Sequence, residues 1–434
     1  MRRFVLLILM ASAVPAAAEI AWQPRGLVEI GVDSFAQIFR LTDEVSLNLT
    51  SEESVLRTET DVYTELRGAG QLGLAIGDSR NGGDLRARLS YGTDTIRANA
   101  LARMHVRDSR QRFDAEVEID GRRFRDDSDL TLSSDFGEVR TRAHWRRTVN
   151  ESWELGLRAQ GEMTRYEQQS LFEIDNERVD VSVTSELRSD LDHWLDLEAG
   201  IGRRWAVDYT DPENPEAVAS ILAYDRFTGL AQWVFDGGGR WRTSLSHWIE
   251  RRDYEDEAQR SSLWNLVVEP EVRLRLDEDW DLRWRTAIEW LDYDTSSSTY
   301  YDIALGRTGM ALTRRWRNYE WGVEPRVGWL GTPVPNEDEY LQPSVVFSFD
   351  GFGERFFISI QEEIGHRDYR TLATADALGL YSDYWFLRST ILASVTVYRD
   401  TSLEFFLSDE PESHRSEEDD SRLTLVSATL RVSF

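Results

Sequence analysis

The chain has 434 residues, 41% hydrophobic and 29% charged, with 78 acidic against 50 basic residues and no cysteine. A spanning helix needs about 20 consecutive apolar residues; the one comparable run lies at the N-terminus, so a polytopic helical membrane protein is excluded, as are disulfide scaffolds and cysteine-ligated metals. The formal net charge of -28 speaks against nucleic acid as a partner, because phosphate binding needs clustered basic charge, and the 16 Trp and 18 Phe speak against disorder.

Arg2 and Arg3 precede an apolar core from Phe4 to Met10, and Ala16, Ala17 and Ala18 supply small residues at the cleavage positions. This anatomy predicts a secretory signal peptide over residues 1–18 and a mature domain over residues 19–434 outside the cytoplasm. The first strand is expected from Leu27 to Phe39, followed by an acidic loop from Thr42 to Glu59 and further strands between Asp61 and Gly77. With so little chain ahead of Leu27, neither a plug domain nor the N-terminal box of an energised receptor is expected.

Farther along, short polar turns recur at Asn150-Glu151, Asp190 to Asp192, Gly237 to Gly239, Asp277 to Asp279, Arg317-Asn318, Gly351 to Gly353 and Arg399-Asp400. Longer acidic breaks alternate with them: Glu167 to Glu177, Asp208 to Glu216, Asp253 to Arg260, Asp292 to Ser298, Pro333 to Glu339, Arg370 to Asp383 and Ser408 to Asp420. Sorting of loops by length in this way is a property of outer-membrane barrels, whose periplasmic turns are short and whose extracellular loops are long.

Between the breaks the chain alternates with period two. Trp280, Leu282, Trp284, Ile288 and Trp290 oppose Asp281, Arg283, Arg285 and Glu289; Val268, Val272 and Leu274 oppose Glu269, Glu271 and Arg273. Trp321, Val323 and Val327 oppose Glu324 and Arg326, and Trp153, Leu155 and Leu157 oppose Glu154 and Arg158. Trp153, Trp194, Trp280, Trp316, Tyr319 and Trp321 sit beside tight turns, where an interfacial girdle belongs. Pro270, Pro325 and Pro343 fall inside strands on the apolar face, and bulges are expected there.

With its predicted signal, loop rhythm, alternating strands and terminal strand from Leu423 to Phe434, the chain resembles the Gram-negative outer-membrane β-barrel proteins. The resemblance implies an antiparallel all-β transmembrane barrel in the outer membrane, contact with membrane lipid and lipopolysaccharide, and reading of the terminal Phe434 by the barrel-insertion machinery. A homo-oligomer is a further implication of the porin-like class. At about 42 residues per hairpin the mature chain gives about 20 strands, within roughly 18 to 22.

A barrel of this size encloses a lumen, and its inward charges are the candidate functional residues. Asp114, Glu116, Glu118 and Asp120 are expected to face Arg97, Arg103 and Arg107 on one side and Arg140, Arg142 and Arg146 on the other. Cross-strand pairs of this kind stabilise a wall by roughly 0.2–1 kcal/mol each, and their field can orient polar solutes. Inward arginines and carboxylates are similar in number, so the excess negative charge is assigned to the loops, densest from Glu410 and Glu412 to Glu417, Glu418, Asp419 and Asp420.

Two functional classes follow: passive passage of small polar or charged solutes, with at most weak cation preference, or the barrel component of a polymer or lipid export or assembly system. Catalysis is not expected. His105, His144, His193, His247, His366 and His414 are scattered, neither Gly-x-Ser-x-Gly nor His-Glu-x-x-His occurs, and Ser246 and His247, as strand neighbours, point to opposite faces. No cofactor or metal site is expected.

Overall fold

The computed structural model describes residues 23–45, 53–78, 80–93, 95–124, 135–167, 175–189, 192–206, 223–255, 261–296, 301–333, 339–370, 383–415 and 420–433. The predicted signal peptide and Phe434 lie outside them.

Strict alternation produces twenty strands: β1 (Gln23–Val45), β2 (Glu53–Gly77), β3 (Asn81–Gly92), β4 (Thr95–Arg107), β5 (Gln111–Phe124), β6 (Phe136–Asn150) and β7 (Trp153–Tyr166). They continue with β8 (Asn176–Ser189), β9 (His193–Ala206), β10 (Tyr224–Asp236), β11 (Trp241–Tyr254), β12 (Leu263–Arg275), β13 (Trp280–Tyr293) and β14 (Ile303–Trp316). The last are β15 (Tyr319–Gly331), β16 (Tyr340–Phe352), β17 (Phe356–Tyr369), β18 (Tyr384–Tyr398), β19 (Thr401–His414) and β20 (Ser421–Ser433). Each pairs antiparallel with its sequence neighbours, and β1 closes on β20 from Leu27↔Ser433 to Phe39↔Ser421. Closure leaves no sheet edge through the wall, which lipid requires because it offers no hydrogen bonds.

The outward face carries the exposed hydrophobics. Leu72, Ile201 and Val183 are 68%, 64% and 57% exposed, far from the burial that a soluble core would give them. The inward face carries the charges, and its buried residues include Glu29, Glu138, Glu250 and Glu324. The polar-in, apolar-out wall is the reverse of a globular fold and is what a bilayer selects.

The tight turns are built by their own side chains. Asp78 Oδ1 accepts from the backbone N–H of Arg80 and Asn81, each at 2.7 Å, and Asp108 Oδ1 does the same with Arg110 and Gln111. Asp277 repeats the device with Asp279 and Trp280 at 2.8 Å. These are Asx turns, in which the carboxylate replaces a missing backbone acceptor. The N–H groups of Asn81 and Arg80 hold the Asp78 carboxyl below its ordinary range, and those of Arg110 and Gln111 do so for Asp108. At the two-residue turns the chain accepts left-handed backbone at Arg317 (φ 54°) and Arg399 (φ 44°).

Several sequence expectations need correction. The acidic loop expected over Thr42 to Glu59 is mostly strand, since β1 and β2 pair out to Val45↔Glu53. The break expected over Ser408 to Asp420 begins only after His414, so Glu410 and Glu412 belong to β19. The turn expected at Gly351 to Gly353 lies two residues later, over residues 353–355. Pro270, Pro325 and Pro343 produce no bulge. Pro270 keeps its register with Leu245 on β11, while the pairing with β13 skips it without a shift, from Val268↔Ile288 to Glu271↔Arg285. In an antiparallel sheet a residue's N–H points to one neighbour only, so proline forfeits a single rung. Pro325 and Pro343 are accommodated in the same way.

Candidate functional site in the lumen wall

Residues directly opposite each other share a face, so the registers place every predicted lumen charge. Asp114, His144, Arg158 and Ser182 form one inward row across β5–β8, and Arg103, Glu116, Arg142 and Gln160 form another across β4–β7. Glu118 faces Arg140, and Glu154 faces Glu186. On the far wall Glu269 faces Ser246, Glu271 faces Arg285, Arg273 faces Arg283, Asp281 faces Thr313, and Glu289 faces Val267. Glu324 and Arg326 share this side with Val346 and Ser344. The registers thus put these residues on one face of the sheet, opposite the exposed hydrophobics.

Which charge meets which was less legible. Glu116 sits between Arg103 Nε at 2.7 Å and Arg142 Nη1 at 3.2 Å, as expected. Glu118 has Arg140 at 3.9 Å, and Asp114 is held by Arg112 at 2.5 Å and Arg146 at 3.3 Å. Arg97, however, lies opposite Arg122 and makes no ion pair among the described residues. Arg285 ignores Glu271 directly across from it and reaches over β14 to Glu324, with Nε and Nη2 each 3.1 Å from a carboxylate oxygen. Gly309 of β14 makes that bridge possible: a Cβ there would lie 2.6 Å from Glu324 Oε1. Arg326 completes the group at 3.0 Å from Glu324 and 3.9 Å from Glu363. Arg273 pairs with Asp281 at 2.9 Å, and Arg158 crosses β8 to Glu198 at 2.9 Å. Glu154 has Arg146 at 3.7 Å, and Glu289 accepts from Asn265 at 2.7 Å. Glu269, Glu271 and Arg283 form no ion pair among the described residues, so their charges face the lumen uncommitted.

Two features escaped the sequence. Trp194 is not part of the outer girdle. It lies on the lumen side with Val234, and its indole N–H donates to Asp196 Oδ1 at 2.9 Å. A Trp beside a turn satisfies either face, and only the register decides. Trp280 and Trp321 do meet on the outside, ring centroids 5.3 Å apart.

The second is an inward aromatic collar at the loop end of the strands. Tyr224, Tyr254 and Leu263 pack together, as do Tyr369, Tyr384 and Phe386. Guanidinium groups stack on the rings: Arg122 lies 4.8 Å from Phe124 and 4.9 Å from Phe136, and Arg367 lies 4.3 Å from Tyr340. Below five of the long loops a recurrent clasp fixes the rim. The N–H of Phe124, Tyr166, Tyr293, Tyr369 and His414 donates at 2.6–2.8 Å to Asp135, Asp175, Asp302, Asp383 and Asp420. The recurrence of a ring, a loop and then Asp was the available signal. At the β15–β16 loop Glu339 plays this part, accepting from the N–H of Thr332 at 3.0 Å and from its hydroxyl at 2.9 Å.

No known protein family and no curated protein sequence matches the chain. Solved structures match in architecture. The chain is similar to the copper transporter OprC, with a TM-score of 0.60 at 8% identity, covering 96% of this chain and 81% of that one. It is also similar to the FrpB iron transporter of Neisseria meningitidis, with a TM-score of 0.57 at 10% identity over 95% and 81% of the two chains. The siderophore receptor PirA of Acinetobacter baumannii follows, with a TM-score of 0.54 at 8% identity over 96% and 81%. With a closed wall, apolar outside and charged inside, and this likeness of fold, the chain is an outer-membrane β-barrel protein.

Proposed function

We propose that the barrel is a passive channel through which small polar or charged solutes cross the outer membrane. The observation that carries this reading is the lumen wall itself: arginines and carboxylates line it side by side on the described strands, and Arg97, Arg283, Glu269 and Glu271 remain without an ion-pair partner among the described residues. A wall whose charges cancel attracts neither sign strongly, so ion selectivity is weak; acidic loops add a slight preference for cations at the mouth. Barrels of the same architecture include proteins named as copper and iron transporters, which agrees with a transport role. In the membrane, lipid and lipopolysaccharide are proposed to surround the apolar face, with the insertion machinery as the assembly partner.

The test is single-channel conductance of the refolded protein in a planar bilayer under a salt gradient. Steady, large openings with a reversal potential far below the roughly 59 mV per decade of an ideally selective pore are expected. Neutralising Glu269 and Glu271 together should move that potential toward anion preference. A folded but silent barrel would reject the channel and favour the export or assembly role.

A further inference from the structure

Midway along the lumen, β9 presents two successive inward glycines, Gly200 and Gly202, and the wall there is recessed. Gly200 lies between Ser182 on β8 and Thr228 on β10, and Gly202 between Asp180 and Arg226. The missing side chains are structural requirements: a Cβ on Gly202 would lie 2.0 Å from Asp180 Oδ1, and one on Gly200 would lie 2.8 Å from Thr228 Oγ1. Asp180 thereby reaches over β9 to Arg226 at 3.4 Å.

The recess has a volume of about 230 Å³ and includes Trp248 and Leu230 in its lining. At about 30 Å³ per water it has room for roughly eight waters, the space of one small solute.

Its charges are already balanced. Arg158 pairs with Glu198 at 2.9 Å, and Arg226 bridges Asp180 and the fully buried Glu250, the latter at 2.9 Å, with Arg252 as the second partner of Glu250. Gln160 Nε2 donates to Asp180 Oδ2 at 2.9 Å and Ser182 Oγ to Glu198 Oε1 at 2.5 Å. A charged solute would have to break one of these pairs and leave its partner uncompensated. A neutral hydroxylated solute would not: each hydroxyl donates to a free carboxylate lone pair or accepts from a guanidinium. The indole of Trp248 offers an apolar face for the C–H side of a sugar ring.

We propose that this recess is a binding subsite for a neutral monosaccharide unit on its way through the lumen. The site rests on the channel reading for its purpose, but its occupancy can be measured without conduction.

Saturation-transfer NMR of the refolded barrel with glucose, in a detergent lacking a sugar headgroup, should show transfer to the ring C–H protons. Trp248→Ala should reduce that signal at least fivefold and Glu198→Gln should weaken it, while Trp264→Ala, on the lipid side, should leave it unchanged. Circular dichroism and heat-modifiable migration of each variant establish that it has folded. Absence of transfer, transfer indifferent to both Trp248→Ala and Glu198→Gln, or preference for glutamate or arginine over glucose would each overturn the subsite. A barrel that binds glucose through Trp248 but conducts no ions would refute the channel and retain the subsite. A conducting barrel that binds no glucose would do the reverse.

Discussion

Replacing Glu324 by Gln isolates an enclosed charge cluster of the far wall. The carboxylate is 6% exposed and accepts from Arg285 at 3.1 Å twice and from Arg326 at 3.2 Å, with a further Arg326 contact at 3.0 Å. At about 3 Å and an effective dielectric constant of about 20, each pair attracts by roughly 5.5 kcal/mol, and desolvation of the ions offsets several kcal/mol of that. Breaking a buried pair by removing one partner costs roughly 3–5 kcal/mol. The Arg285 side chain is 38% exposed and can turn to lumen water, whereas Arg326, at 9%, cannot, which sets the expectation near the low end, about 3 kcal/mol. With an m-value of about 3 kcal/mol/M, the urea midpoint should fall by about 1 M. The assay is reversible urea folding in lipid, read by tryptophan fluorescence and heat-modifiable migration. Glu116→Gln is the comparison: its arginines, Arg103 and Arg142, are 46% and 61% exposed, so the loss should stay below about 1 kcal/mol. Equal small losses in the two variants would refute the argument that enclosure in the wall sets the strength of these pairs.

Other outcomes follow from the same geometry. Val183→Arg, which puts a charge on the lipid side near the middle of β8, should cost about 2–4 kcal/mol, whereas Thr184→Arg, one residue on and lumen-facing, should cost less than about 1 kcal/mol in the same urea assay. Arg317→Val at φ 54° should destabilise by about 1–2 kcal/mol and Arg317→Gly should change stability by less than about 1 kcal/mol, because only glycine enters the left-handed region freely; identical midpoints would contradict the turn assignment. The N–H of Thr332, then its hydroxyl and Arg370, hold the Glu339 carboxyl below its ordinary range. A depressed folded value means that the clasp is fully present above the ordinary carboxyl pKa of about 4.3 and is lost as pH falls through the lower folded value. Amide exchange at Thr332 in the native protein relative to Glu339→Gln should therefore be slower near neutral pH and converge in acid; a ratio constant from pH 7 to 3 would exclude this role.

The lumen face was legible because alternation is a local property: Glu269, Arg283 and Arg326 could be oriented from their neighbours alone. Partner choice was not, because it depends on what stands between two strands. Arg285 bypasses Glu271 only because β14 offers Gly309 at the crossing, and no single strand carries that information. The end of β19 was misread for a related reason. Asp409 faces outward and pairs with Arg422 at 2.8 Å, while Glu410 faces inward, so both faces are polar and alternation vanishes from a segment that remains fully paired. Trp194 shows the converse, a strong residue-type signal that is silent about side. The recess around Gly200 was invisible because it is defined by absent side chains on one strand and by reach from its neighbours.

The aspartate clasps at the rim operate across very different separations, from 6 residues between His414 and Asp420 to 14 between Tyr369 and Asp383. Each connection that carries a clasp is therefore pinched shut at its root, and the wall beneath is finished before the connection begins. Lengthening or replacing such a connection therefore leaves the strand registers below its clasp unchanged.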